Sequence, residues 1–244
     1  VLPQLAALGI NPADVLNSNL YYRGHDAGGR TDKYGTDAAH AVIGIEGRLA
    51  GWDANMAYTR SQNTQKDDAV AGYLSGNAFE ELIRSGAYNP YELSANDRAT
   101  LAPAVLRQTL NETESKIDVL NARASKDLFD MGGGRASLGV GADFTKQSYN
   151  DMPSAILQGP NPTQPNWTDV IIGGGTGALP LHAVRQNWGG FAEMLMPLTK
   201  TLEATAAVRY DSYDAVERRN TSFDVAGKAS NPGDVGNDVA KSTY

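Results

Sequence analysis

The sequence predicts an all-β protein, an antiparallel meander of hairpins that forms part of a transmembrane β-barrel. Apolar and polar residues alternate with period two, as in strands that have one apolar and one polar face. The alternation defines three hairpins, at about residues 36–61, 116–149 and 187–213. Each closes with a short turn, and long connections follow at about residues 62–114, 150–181 and 217–241. Transmembrane barrels likewise keep short turns at one end and longer loops at the other.

The first hairpin turns at residues 48–51. Its predicted apolar face comprises Ala41, Ile43, Ile45, Trp52, Ala54, Met56 and Tyr58. We expect Asp53 and Asn55, on the opposite face, to line the lumen. Because Trp52 begins its strand directly after the turn, it is predicted to lie in the aromatic girdle at the short-turn end.

The connection at 62–114 contains helix signals instead of alternation. Residues 77–80 read as a capping box, and an apolar stripe from Phe79 to Ile83 stops at Gly86. A second short helix is predicted to open near Ser94. Some fifty residues are too many for a simple hairpin connection, so we expect a functional loop with small helices.

The second hairpin turns at residues 130–134. We expect its even-numbered residues from Ala136 to Phe144 to share one face, with Asp143 on the lumen side. The connection that follows, at 150–181, is rich in proline and glycine.

The third hairpin is the clearest, with a turn predicted at residues 197–200. Its apolar face comprises Trp188, Gly190, Ala192, Met194, Met196, Leu202, Ala204, Ala206, Val208 and Tyr210. Glu193, Arg209 and Asp211 are expected to face the lumen, and Tyr210 to lie near the outer aromatic girdle. A soluble sandwich hairpin fits this alternation equally well, and the common end of the long loops favours the barrel.

Ligand contact is expected in the loops at 62–114 and 150–181 and not on the strands. Aromatic side chains offer a large contact area with few rotors to immobilise. The candidates are Tyr73, Phe79, Tyr88, Tyr91 and Trp167. The alternative is that the loop aromatics only pack the loop against itself.

Composition excludes several other classes of protein. The 244 residues include no Cys, so a disulfide scaffold and Cys-ligated metal sites are excluded. No apolar run approaches a spanning helix, and a net charge of −7 without a basic stripe argues against nucleic acid. The three histidines lack ligand spacing, and no nucleophile–His–acid set is present. We therefore predict no enzyme, no metal site and no cofactor.

Three segments, at residues 41–61, 120–149 and 191–213, resemble the barrel of TonB-dependent outer-membrane receptors. The last is the most specific, with an acidic residue in a strand, a Pro-Leu turn and an Arg-Tyr-Asp-x-Tyr strand end. The resemblance implies a 22-stranded barrel plugged by an N-terminal domain in a Gram-negative outer membrane. It also implies import of a large scarce nutrient, such as a siderophore, cobalamin or a glycan, with energy from TonB.

The chain departs from this family in extent. It shows no plug domain, no energy-coupling box and too few strands to close such a barrel. We therefore expect an internal piece or a processed product, residues 1–244 being a partial barrel domain that contributes wall and ligand-contacting loops. Its expected partners are outer-membrane lipid, the TonB system acting through a plug outside this chain, and a small-molecule or oligosaccharide ligand. The alternatives are a soluble all-β binding module and a small structural or adhesive outer-membrane barrel.

Overall fold

A computed structural model describes most of the chain: residues 6–11, 24–90, 98–160, 168–220, 222–223, 229–230, 234–235 and 241–243. Six long strands form the body of the molecule: β1 (Thr31–Leu49), β2 (Trp52–Ala71), β3 (Gln108–Met131), β4 (Gly134–Pro153), β5 (Leu181–Thr199) and β6 (Leu202–Tyr213). Short strands follow: β7 (Glu217–Asn220), β8 (Ser222–Phe223), β9 (Ala229–Ser230), β10 (Asp234–Val235) and β11 (Lys241–Thr243).

The six long strands pair in sequence order, each antiparallel to the next, and β11 pairs with the far edge of β6. Strand β7 pairs with the end of β5 beyond the limit of β6, and β10 pairs with β7. Strands β8 and β9 form a separate pair. Within the described residues the sheet does not close on itself, and they form an open antiparallel meander, as the alternation predicted.

Two-residue turns connect the strands of each long hairpin, at residues 50–51, 132–133 and 200–201. Ala50 and Gly51 have φ angles of 50° and 80°, and positive φ at both central residues suits a type I′ hairpin turn. At the second turn, Gly133 donates its backbone N–H to the Pro197 carbonyl at 3.0 Å. A Cβ on Gly133 would collide with backbone carbonyls of β5, so this neighbouring pair of hairpins requires glycine there.

The strands extend further toward the long loops than the alternation predicted. Strand β2 continues to Ala71 and β3 begins at Gln108, so the first loop covers residues 72–107 instead of 62–114. Strand β4 continues to Pro153, which shortens the second loop to 154–180. The added parts of β2 and β3 are mostly polar on both faces, apart from Ala69 and Leu110 near their loop ends, which are buried with Ile156 and Ile171. A strand with water on both sides has no apolar period, and its ladder of backbone hydrogen bonds holds it.

The turn of the third hairpin was predicted too early. Strand β5 runs through Pro197 to Thr199, with a register irregularity between these two residues. Pro197 has no backbone N–H, and its carbonyl accepts a hydrogen bond from Gly133 on the side away from β6. The turn lies beyond the irregularity, at residues 200–201.

The first loop contains helix α1 (Gly76–Arg84), helix α2 (Arg98–Leu101) and a 3₁₀ turn (Ala102–Ala104), and the second contains α3 (Ala155–Gln158). Helix α1 ends at Arg84, with Ser85 as its C-cap, just before Gly86, whose φ is +75°, as predicted. Its N-cap was misplaced, because the Oγ of Ser75, not Asn77, accepts the Ala78 N–H. Residues 91–97, where the second helix was expected to open, lie outside the described residues. In the part of the chain described, no helix has the length and apolarity to cross a membrane.

The register confirms the predicted faces. Leu138 pairs with Met194, and Met194 pairs with Ala206, so the even-numbered residues of β4, β5 and β6 share one face. In the alternate rows, Gly141 pairs with Phe191 and Phe191 with Arg209. Asp143, Glu193 and Arg209 therefore share the opposite face. We call these the apolar face and the polar face.

Trp52 and Tyr210 lie in different rows of the register, and their places in the two girdles stay predictions. Trp52 pairs with Leu49 beside the turn. Tyr210 belongs to the row that Met56 begins and that continues through Ala122, Ala142 and Gly190. This row lies four residues further along β2 toward the loops.

Candidate functional site

The apolar face of the sheet is exposed over its whole width. Ile43, Leu49 and Trp188 have relative exposures of 71%, 78% and 51%. The other large apolar residues exposed on this face are Ile45, Met56, Tyr58, Leu120, Phe144, Leu202 and Val208. The two clusters of buried apolar residues lie instead at the loop end of the molecule, and Ala136, near the turn of the second hairpin, is also buried. A contiguous apolar surface of this extent is a lipid or partner surface.

An aromatic row bounds the apolar face on its loop side. Tyr58, Phe144 and Trp188 belong to one register row, and the Trp188 and Tyr210 rings lie 5.4 Å apart. The next row on this face is charged, where Arg60 and Asp118 form an ion pair at 3.4 Å. The Tyr58 hydroxyl donates to Asp118 across the boundary. A row of aromatic residues followed by a row of charged residues is the arrangement found at a membrane interface.

The polar face carries an ion-pair network centred on Arg209. Its Nη2 lies 3.1 Å from Asp143 Oδ1 and 2.6 Å from Asp211 Oδ1, and its Nε donates to Asp211 Oδ2 at 2.9 Å. The exposed fractions of the side chains are 40% for Arg209, 28% for Asp143 and 10% for Asp211. One guanidinium and two carboxylates give this network a formal net charge of −1 on the polar face.

The other predicted lumen residues also lie on the polar face. Asp53 forms a fully exposed ion pair with Arg48 of β1 at 2.8 Å. Asn55 lies in the row of Arg123, and Glu193 pairs with Gly139. Whether this face surrounds the lumen of the assembled barrel stays a prediction.

The loops of the first two long connections pack into one layer. The Ser75 Oγ donates to Asp169 Oδ2 at 2.6 Å, and the Asn77 backbone N–H donates to Asp169 Oδ1 at 2.9 Å. The Asp169 carboxylate therefore lies at the N-terminus of α1, where the helix dipole stabilises negative charge. Backbone bonds from Gly76 to Val170 and from Ile172 to Leu74 add to the contact. We call residues 72–107 and 154–180, within the described ranges, the loop layer.

The chain before β1 joins the loop layer through Arg30. Its Nη2 donates to the Ile172 carbonyl at 2.6 Å, and its guanidinium carbon lies 5.2 Å from the centroid of the Tyr73 ring. The Tyr73 hydroxyl donates to Asp32 Oδ2 at 2.8 Å. Burial, and then this hydrogen bond, raise the pKa of the Tyr73 hydroxyl, which keeps Tyr73 a neutral donor near pH 7.

The predicted ligand-contacting aromatics have different environments. Tyr73 is partly exposed beside Arg30. Phe79 and Tyr88 are 8% and 1% exposed, with ring centroids 5.8 Å apart, and belong to the core of the loop layer. Their burial favours the alternative in which they pack the loop against itself. Tyr91 and Trp167 lie outside the described residues.

A cavity on the polar face was not predicted from the sequence. It has a volume of about 590 Å³ and crosses β1 to β5 near the loop end. Two polar-face rows line it, with His40, Ser61, Asn63, Gln147 and Arg185 among their residues. We call this cavity the inner recess. Along each strand, these lining residues alternate in step with the charged residues predicted to face the lumen. That alternation was the signal in the sequence that could have indicated the recess.

The described residues include no group of His, Asp or Glu with the geometry of a metal site. Among them, His40 Nδ1 hydrogen-bonds to Ser61 Oγ at 2.6 Å, and His182 hydrogen-bonds to Asn150. The polar face could therefore bind a ligand through hydrogen bonds and paired charges.

Comparison with known proteins gives a family match over nearly the whole chain. The family model for the β-barrel of TonB dependent receptor-like proteins matches residues 4–239. No curated protein and no solved structure matches the chain. The family match agrees with an exposed apolar face, an aromatic boundary and a polar inner face.

Proposed function

Because the chain belongs to the TonB-dependent receptor β-barrel family, we propose that it forms part of the wall of a receptor that imports a large, scarce nutrient. Family membership places it in the Gram-negative outer membrane as a non-enzymatic transport protein that works with TonB and a ligand. This excludes the soluble binding module. Within the proposal, the nutrient belongs to the siderophore, cobalamin or glycan class.

The loop layer supports the proposal that the receptor first contacts its ligand at the long-loop end. Two loops from successive hairpins fold into one body with its own buried core, which includes Leu74, Leu101 and Ile171. Linkers between strands need no such core. A rigid, hydrogen-bonded layer beside the mouth of a barrel offers a preorganised surface for a ligand.

The polar face supports the transport part of the proposal. Its charges are paired across strands, as in the network of Arg209 with Asp143 and Asp211. A hydrated wall whose charged side chains are held in ion pairs allows a polar nutrient to pass without being trapped at one strong site. The apolar face, by contrast, holds the wall in lipid.

A deletion in the loop layer tests this function. Removing residues 71–93 takes away α1 and Tyr73 but leaves most of every long strand. Uptake by cells is first measured for a panel of ferric siderophores, cobalamin and oligosaccharides. The deletion is expected to weaken uptake of the compound that the parent protein imports. A matched variant with Lys200→Ala and Thr201→Ala changes only the turn at the opposite end and is expected to import normally. Unchanged uptake by a correctly inserted deletion variant would remove this loop from the ligand path.

A further inference from the structure

We propose that the inner recess binds an anionic, hydroxyl-rich ligand of the acidic-sugar class. The inference rests on the receptor function proposed above and adds a second contact point for its ligand, on the wall below the loop layer. Its volume of about 590 Å³ falls within the roughly 300–1,000 Å³ of small-molecule sites.

The register places the recess on the polar face. One lining row runs from His40 through Ser61, Ile117 and Gln147 to Arg185. Arg185 has the same parity on β5 as Glu193, and Gln147 has the same parity on β4 as Asp143. A second lining row, two residues nearer the loops, includes Asn63, Ser115 and Tyr149. The recess is therefore reached from the hydrated side of the sheet.

The charge of the recess is positive. Its described lining contains Arg185, His40 and Lys116 but no Asp or Glu. Lys116 is neutralised by Glu114 at 2.6 Å. Arg185 donates to the neutral Gln147 Oε1 at 3.1 Å, and it forms no ion pair with any described residue.

Acidic residues on the same face lie on either side of the recess and hydrogen-bond to residues other than Arg185. Toward the loops, Asp151 Oδ1 accepts a hydrogen bond from Asn111 at 2.7 Å. Toward the turns, Asp143 and Asp211 are paired with Arg209. None of these carboxylates forms an ion pair with Arg185, whose guanidinium carbon lies 5.7 Å from the centroid of the Tyr213 ring.

The backbone register continues one lining row of the recess onto β7. Ala183, which lines the recess, pairs with Arg218 of β7. A second arginine thus occupies the register position that extends the row of Asn63, Ser115 and Tyr149 past β5.

The donors and rings of the recess match an acidic sugar. A guanidinium binds carboxylate in a bidentate, charge-assisted geometry. Asn63, Ser115 and Gln147 provide neutral hydrogen-bonding groups for hydroxyls. Tyr149 is 41% exposed, and its ring offers a flat apolar surface for the C–H face of a sugar. A cationic ligand would instead meet Arg185 unfavourably.

Binding to the protein expressed from its own full gene, in native outer-membrane vesicles, tests the inference. The probes are trigalacturonate and the neutral maltotriose, measured by equilibrium dialysis. We expect trigalacturonate to bind at least tenfold more tightly than maltotriose. Arg185→Gln is expected to weaken trigalacturonate about tenfold, as the loss of one charge-assisted contact implies. The control Arg135→Gln, at the turn end, is expected to change neither affinity.

A second variant keeps the inference testable if Arg185→Gln fails to assemble. Gln147→Glu places a carboxylate of the same shape against Arg185, and it is expected to weaken trigalacturonate but not maltotriose. Equal affinity of the parent for both probes, no binding of trigalacturonate, or full binding by assembled variants overturns the inference. Loss of import with intact trigalacturonate binding counts instead against the proposed function.

Discussion

Arg209 of β6 forms an ion pair with Asp143 of β4, at 3.1 Å, across the intervening strand β5. The residue between them is Gly189, which pairs with both Asp143 and Asp211. A Cβ at Gly189 would lie 2.9 Å from Arg209 Nη2 and would collide with the Asp211 carboxylate. The missing side chain on β5 therefore lets one guanidinium join three strands on the polar face.

Gly189→Ala is expected to disrupt this network, because the added methyl occupies the space of two charged groups. Forcing a group into an occupied site costs about 1–3 kcal/mol. Urea unfolding in lipid vesicles should show a lower midpoint for the variant.

Gly139→Ala is the matched control, on the same face of β4. Its Cβ would meet only the Glu193 carbonyl, at an ordinary 3.9 Å. Equal midpoints for the two alanine variants would show that Gly189 is not needed for the network.

Val208→Arg is expected to impair assembly, because Val208 lies on the apolar face and is 53% exposed there. A mid-bilayer Arg on the lipid side costs about 2–4 kcal/mol. The measurement is the inserted, protease-protected fraction in outer membranes. Ala207→Arg, one residue away on the polar face, pairs with Glu193 and should insert normally. Equal insertion of both variants would contradict the assignment of faces.

Ser75→Ala is expected to loosen the loop layer by about 1 kcal/mol, because it removes the N-cap of α1 and a bond to Asp169. Hydrogen exchange should speed up in residues 76–84. Ser154→Ala is the control, since Ser154 is the N-cap residue of α3 but makes no side-chain cap bond. If both variants accelerate exchange equally, the Asp169 contact does not hold the layer.

Trp52 and Trp188 are expected to lie at the two membrane interfaces. In single-Trp variants, with the other two tryptophans changed to Phe, lipids brominated near the headgroup should quench both more strongly than lipids brominated at the chain ends. If lipids brominated at the chain ends quench one of these tryptophans most strongly, that residue does not lie at an aromatic boundary.

The period-two alternation predicted the hairpins, the faces and the order of turns and loops, because a charged side chain on the lipid side of the sheet is energetically costly. The same signal vanished beyond Ser61 and before Lys116, where water lies on both sides and any polar residue is tolerated. Strand ends at Ala71 and Gln108 depend on backbone pairing, which leaves little mark on the sequence.

The site was harder to predict than the sheet. Phe79 and Tyr88 were chosen for their ring size, yet partners distant in the sequence bury them; the Tyr88 hydroxyl, for example, donates to Asp26 at 3.1 Å. The inner recess depends on five strands in register, and no local pattern reveals that Arg185 forms no ion pair among the residues that the structure describes. The contact of Ser75 with Asp169 likewise joins residues 94 positions apart.

The claim that one face of this sheet meets lipid and the other meets water is tested most directly along β6. The chain has no Cys, so single cysteines at positions 203–210 can each carry a nitroxide without background labelling. Accessibility to oxygen and to a water-soluble nickel chelate is then measured in lipid vesicles. We predict that oxygen access peaks at the even positions 204, 206, 208 and 210, and that chelate access peaks at the odd ones. A profile without this alternation, or with the two parities exchanged, would contradict the account.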